Sequence, residues 1–197
     1  MIHTSFYSPE ELRQLGFLSV GENVLISRKA SIYSAGRITI GNNVRIDDFC
    51  ILSGKITIGS YIHISAYTGI WAGESGILLE DFVTISGRCN IYGKTDDYSG
   101  MAMTNPMVPE ELVDIMDEPI IFRKFSIIGC ASTILPGVEI AVGTAVGSMS
   151  LVKKNTLPWM IYAGIPVNAI RKRERKIEEM GHLLCFKKSE GVTINDK

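Results

Sequence analysis

An aliphatic residue returns at every sixth position through most of this chain, and few folds tolerate that rhythm. Val20, Ile26 and Ile32 form one run; Ile40, Ile46, Leu52, Ile58, Ile64 and Ile70 form a second. Leu79, Ile85 and Ile91 make a third, and Ile128, Ile134, Ile140, Val146 and Val152 a fourth. The phase slips between residues 32 and 40 and again between 70 and 79, and it is interrupted from 91 to 128. A helix turning every ~3.6 residues cannot keep a six-residue step on one face. A short repeat held in steady phase marks a β-solenoid, whose coils stack on one another. The strands of a β-sandwich keep no such phase.

Two further positions agree with the register. Four residues after the anchors stand Val24, Ala30, Val44, Cys50, Ile62, Thr68, Val83, Cys89, Ser132, Val138, Thr144 and Ser150, all β-branched or small. Side chains two apart on an extended chain share a face, so these point inward beside the next anchor, where only modest volume fits. Directly after anchors come Gly21, Gly41, Gly59, Gly129 and Gly147, which are expected to supply unusual backbone angles at the corners. Three hexads to a coil give about six coils, a prism roughly 25–30 Å long. Cys50 and Cys89 fall in one inward column with Thr68 between them, too far apart for a disulfide, and no CxxC spacing points to zinc.

The chain reads as one domain of 197 residues, 46% hydrophobic. It divides into an N-terminal segment 1–17, a solenoid 18–157 carrying an insertion at 90–125, and a closing segment 158–197. A formal net charge of −1 argues against nucleic acid as partner. Met1 to Glu10 has neither the basic start nor the apolar run of a signal peptide, and no apolar stretch is long enough to span a membrane. A cytoplasmic protein is expected.

The breaks in the repeat carry the functional information. The long insertion contains four methionines (Met101, Met103, Met107, Met116) and Pro106, Pro109 and Pro119, and loops of this length are usually functional. A shorter excursion, Trp71 to Leu78, projects an aromatic ring and the Glu74 carboxylate. After Pro158 and Trp159, the run AGIPVNAI closes the solenoid. A helix is expected over Arg171 to Leu184, with Ile177, Met180 and Leu184 on one side and Lys172, Arg173, Arg175 and Lys176 on the other. Glu174, Glu178 and Glu179 neutralise much of that charge, so the basic run reads as a solvated face.

The hexads, the interrupting loop and the closing run VKKNTLPWMIYAGIPVNAIRKR together resemble the hexapeptide-repeat acyltransferases, in the branch of galactoside, xenobiotic and surface-polysaccharide acetyltransferases. The resemblance covers roughly residues 18 to 173, and the closing A-G-x-P-x-x-x-I-R is its most specific element. It implies a left-handed parallel β-helix, a homotrimer, and acetyl-CoA lying between adjacent subunits, with no metal. Carried onto this sequence, it places the pantetheine arm near Cys130 and Ser148. It places the nucleotide end near Lys153, Lys154, Ala163, Gly164, Pro166 and Arg171. A groove of small residues ending in cations suits a thin, phosphate-bearing molecule.

Relatives carry a histidine at the start of the long loop to take the acceptor's proton; here that stretch is Lys94-Thr95-Asp96-Asp97-Tyr98. Two substitutes stand open. Asp96 and Asp97 occupy the right place, and adjacent carboxylates raise one another's pKa. Alternatively His63, pointing outward and stacked between Arg45 and Thr84, is the base; His3 and His182 lie outside the coils. Asp47, Ser65 and Ser86 form the neighbouring outward column, and Ser65, Glu74 and Tyr98 are expected to touch the acceptor. A carboxylate of ordinary pKa is a poor base toward a sugar hydroxyl, so the missing histidine tilts the reading toward an amino group on a sugar or nucleotide-linked sugar. O-acetylation follows if His63 is the base. The alternatives are a catalytically inactive relative or a xenobiotic acetyltransferase. A zinc hydratase would need three convergent histidines. An ice-binding or scaffold solenoid would show a flat threonine face without the insertion, and a fused nucleotidyltransferase would need a further α/β domain.

Overall fold

The computed structural model describes residues 5–189. It is a three-sided parallel β-solenoid. The first face stacks strands Ser19–Val20, Ile38–Ile40, Ile56–Ile58, Ile77–Leu79, Ile120–Phe122 and Glu139–Ile140. The second stacks Val24–Ile26, Val44–Ile46, Ile62–Ile64, Thr84–Ile85, Ile127–Ile128, Ala145–Val146 and Met160–Gly164. The third stacks Ser31–Tyr33, Ile51–Ser53, Gly69–Trp71, Asn90–Tyr92, Thr133–Ile134 and Leu151–Val152. Six coils are complete, and Met160–Gly164 opens a seventh. A short helix α1 (Pro9–Gln14), started by a Ser8–Glu11 capping box, precedes the first coil.

The anchors do what their period requires. Ile26, Ile46, Leu52, Ile64, Ile70, Leu79, Ile85, Ile91, Ile128 and Ile134 are fully buried. Each such side chain contributes about 1.5–3 kcal/mol of apolar burial. Phe122 is a further anchor, also fully buried and six residues before Ile128, invisible to a search for aliphatics. Its strand, and Asn90–Tyr92 before it, belong to the coils, so the insertion is shorter than 90–125 and runs from Gly93 to Pro119. The slip between 32 and 40 is taken up by a 3-10 turn, Ala35–Arg37.

The corner glycines act differently from the expectation. Gly21, Gly41, Gly59, Gly129 and Gly147 are not among the residues with positive φ. They are small because the next coil is close: a Cβ on Gly41 would stand 2.6 Å from the Gly59 carbonyl oxygen. The left-handed angles come two residues later, at Asn23, Asn43 and Tyr61, and along the same corner of later coils at Phe82, Phe125 and Trp159, all with φ between 52° and 63°. Such angles cost about 1–2 kcal/mol apiece for residues with a Cβ. Ring stacking along the edge offsets this: Tyr61–Phe82 and Phe82–Phe125 lie 4.9 and 5.0 Å apart, both 7° from parallel. At Gly143 the ladder lacks a side chain, and the Trp159 ring fills the gap.

The end of the chain seals this edge. Met160–Gly164 turns back as an antiparallel hairpin with Val167–Lys172, and helix α2 (Lys176–Ser189) follows. The helix expected from Arg171 therefore begins later, because Arg171 and Lys172 pair with Ile161 and Met160. Arg173 is no solvated cation. Its guanidinium donates to the carbonyls of Phe125 and Gly143 at 2.8 and 3.0 Å, and Arg175 lies over the Trp159 ring at 5.2 Å.

The inward column of small residues yields a stability test. Thr68 Oγ1 donates to the Ser86 carbonyl at 3.0 Å, whereas the buried Ser126 hydroxyl has no hydrogen-bond partner among the described residues. Ser126→Ala is expected to hold or raise the melting temperature. Thr68→Ala, which strips a buried partner, is expected to cost about 1–3 kcal/mol. Thermal unfolding followed by circular dichroism compares them, and equal losses would contradict this account.

Candidate active site

Parallel stacking turns each outward position into a column. On the second face the column reads Leu25, Arg45, His63, Thr84, Ile127, Ala145, Ile161. His63 thus sits between Arg45 and Thr84. Just beyond the strand ends runs a second column, joined by backbone hydrogen bonds from each coil to the next: Asp47, Ser65, Ser86, Gly129, Gly147. Ala163 follows, its Cβ side meeting the place a Gly147 side chain would occupy. Along this column the side chains shrink from carboxylate to hydroxyl to none. The result is a shallow groove, polar at the lower end and floored by backbone at the upper.

Cys130 and Ser148 border the upper groove, both exposed, with Sγ and Oγ 3.3 Å apart. Gly164 donates its N–H to Ser150 Oγ, and Pro166 follows a cis peptide in the hairpin turn. Lys153, Lys154 and Arg171 are exposed, and none forms an ion pair among the described residues. Among the described residues no group of three or more His, Cys, Asp or Glu could hold a metal ion.

At the lower end, His63 Nε2 lies 2.7 Å from Asp47 Oδ2, and Arg45 Nε donates to Asp47 Oδ1 at 2.7 Å. Burial alone would raise the Asp47 carboxyl. Hydrogen bonds from His63 and Arg45 outweigh it and hold the group below the usual carboxylate range. His3 lies outside the described residues, and His182 is exposed on α2.

The insertion leaves the solenoid as a two-stranded ribbon, Lys94–Asp96 against Ile115–Asp117. Asp117 bolts the ribbon to the short excursion: its carboxylate accepts the N–H groups of Glu74 and Ser75 at 2.7 and 3.1 Å. The Glu74 carboxylate is itself held in a bidentate pair with Arg37, both contacts 2.7 Å, and so props the excursion. Ser65 is half-buried, and Tyr98 projects into solvent.

Asp96 and Asp97 part company. Asp97 accepts hydrogen bonds from Ser99 N and Oγ, Met101 N and Ala102 N at 2.8–3.1 Å. Those donors lower its pKa to about 2, opposite to the upward shift expected of a base; it is the knot of its own turn. Asp96 has no side-chain partner among the described residues and lines a cavity of about 490 Å³ with Lys94, Asn105, Val108, Glu110 and Ile115. Sequence reasoning could not separate the two, because the capping N–H groups come from the turn's conformation. Ser86, in the groove beside Ser65, was seen only as part of a column; Asp47 was missed as the partner of His63, although the two-residue spacing from Arg45 on an outward face held the signal.

No protein-family model matches the chain. It is 44% identical over 173 residues to dTDP-4-amino-4,6-dideoxy-D-glucose acyltransferase of Escherichia coli, spanning 86% of this chain and 90% of that one. Among solved structures, a serine variant of AntD, an N-acyltransferase from Bacillus cereus in complex with dTDP-4-amino-4,6-dideoxyglucose and coenzyme A, is 52% identical with a TM-score of 0.92. That match covers 94% of this chain and all of AntD. A hexapeptide-repeat acetyltransferase from Vibrio cholerae, 17% identical over 84% of this chain and 76% of its own, shares the fold with a TM-score of 0.55. The chain belongs to the hexapeptide-repeat acyltransferases, in the group of the dTDP-aminosugar N-acyltransferases.

Proposed function

We propose that this enzyme transfers a short acyl group from a CoA thioester to the 4-amino group of a dTDP-linked 4-amino-4,6-dideoxyhexose, for use in surface-glycan assembly. The match over 94% of this chain to AntD, solved with that sugar and coenzyme A, carries the reading. The groove supports it: backbone floor at Gly129 and Gly147 for the pantetheine arm, and Lys153, Lys154 and Arg171 for phosphates. Acetyl-CoA is the simplest donor. 3-Hydroxybutyryl-CoA belongs beside it in any assay, since AntD has been solved with that thioester.

AntD has also been crystallised with one serine or one aspartate replaced, at positions ten residues apart. In this chain the only serine followed ten positions later by an aspartate is Ser86, with Asp96. We assign both to the reacting end, Ser86 in the groove and Asp96 as the carboxylate that holds the acceptor's ammonium. Within one copy, neither Ser86 nor His63 lines the cavity that contains Asp96. The insertion moreover exposes Tyr98, Met101 and Met107 at about 90%. Both observations favour a homotrimer in which the insertion of one copy covers the groove of the next. No helix among the described residues is long and apolar enough to cross a membrane. We place the enzyme in the cytoplasm, where CoA thioesters and nucleotide sugars are made.

Thiol release from acetyl-CoA or 3-hydroxybutyryl-CoA with dTDP-4-amino-4,6-dideoxyglucose tests the function, and no release with either donor would refute it. Asp96→Asn is expected to lower kcat/KM by about a hundredfold. Asp97→Asn is expected to leave kcat within a few-fold while making the turn more open to protease. Mixing Ser86→Ala and Asp96→Asn proteins through refolding should restore about a quarter of the wild-type sites, if each site draws on two copies of a trimer. Activity that stays at the level of the separate variants would place both residues in one copy.

A further inference from the structure

We infer that the edge beside the groove carries a nucleoside diphosphate subsite, an open rung between Arg88 and Met149 floored by Ala131, and that it takes the dTDP moiety of the acceptor. This rests on the reading above, in which the acceptor's amine is held at the Ser86 end of the groove.

Two residues beyond each member of the groove column the chain turns a corner. A file of left-handed residues climbs it: Phe49, Tyr67, Arg88, Ala131 and Met149, with φ between 55° and 63°. Backbone hydrogen bonds of 2.8–3.0 Å fix their order. The N–H of Tyr67 donates to the Asp48 carbonyl, Arg88 to Ala66, Ala131 to Gly87 and Met149 to Cys130. All five residues are exposed. The Phe49 and Tyr67 rings stack with centroids 4.9 Å apart, and the Arg88 guanidinium lies over the Tyr67 ring at 5.7 Å. On the next rung the file drops to a methyl group.

The edge of Tyr61 and Phe82 shows how this scaffold treats such a gap. There Gly143 interrupts the rings, and the Trp159 ring from the rung above occupies the space. At Ala131 the residue is exposed instead, and Met149 above it is 69% exposed. Arg88 and Met149 stand two rungs apart, about 9–10 Å, which admits one planar ring with a stacking distance on either side. A guanidinium plane below and a thioether above both favour an aromatic heterocycle. Arg88 forms no ion pair among the described residues, so its N–H groups remain for phosphate oxygens.

Position selects the acceptor over the donor. Arg88 is two residues from Ser86, at most about 7 Å along the chain. That is the scale of a hexose with its amine at C4 and its diphosphate at C1. The donor's phosphates are assigned to Lys153, Lys154 and Arg171, at the closing end of the solenoid.

Isothermal titration of the same proteins with dTDP and with CoA tests the subsite. Arg88→Gln is expected to weaken dTDP binding about tenfold or more. Ala131→Phe should weaken it similarly while keeping the melting temperature, because it supplies the missing ring from within at an angle that Phe49 and Tyr67 already hold. In both variants CoA affinity should stay within about twofold. With dTDP-4-amino-4,6-dideoxyglucose the loss should fall on the acceptor KM, with kcat changed by less than about threefold. Either variant keeping wild-type affinity for dTDP overturns the inference. So does a loss confined to CoA, which would give the rung to the donor's adenine. Wild-type protein that fails to bind dTDP overturns both the subsite and the proposed function. Wild-type protein that binds dTDP, loses it through these substitutions and yet releases no thiol refutes the function and leaves the subsite standing.

Discussion

Each coil of this molecule hydrogen-bonds to the next through parallel strands on three faces, and that vertical ladder is the constraint on which everything else depends. A strand added to the stack must fall in register, because its inward anchor has a single place to go and its outward residue sits over the one below. Chemistry is thereby arranged in files. Arg45, His63 and Thr84 meet because their strands do, although nearly forty residues separate the first from the last. Asp47 to Gly147 form a groove for the same reason. An active site on such a scaffold needs no tertiary arrangement of its own beyond what holds the coils together.

The price of tight stacking is backbone strain at the edges, and its remedy joins stability to the chain's closing segment. Non-glycine residues hold left-handed angles at corner after corner. Along one edge their rings stack from Tyr61 through Phe125, and Trp159 reaches over Gly143 to continue the file. Arg173 then binds the corner carbonyls. The hairpin that carries Ala163 and Arg171 is thus fastened to the same edge that it stabilises.

The solenoid was legible in the sequence because its period is short and its inward slots admit few residue types. Phe122 escaped notice because an aromatic fills a slot elsewhere held by Ile, and with it went the true end of the insertion. At the corner glycines the structure differs from the expectation, because close approach and left-handed angle are separate demands, met two positions apart at Gly21, Gly41 and Gly59. At the site, alternation along the strands gave the His63 column, since that follows from register alone. The fates of Glu74, Asp97 and Asp47 were not legible. Each is decided by a partner on another coil or by the form of a turn, as when Arg37 claims Glu74 across the excursion.

A stack of identical pitch is also a ruler. From Ser86 through Gly129 and Gly147 to Ala163 there are three intervals, roughly 14 Å in all. The reach between Ser86 and the closing hairpin can therefore change only in whole rungs, by gain or loss of a complete coil. Point substitutions can alter the character of the groove but never its length, so on the proposed reading the molecule modified is free to change while the donor arm is held to one size.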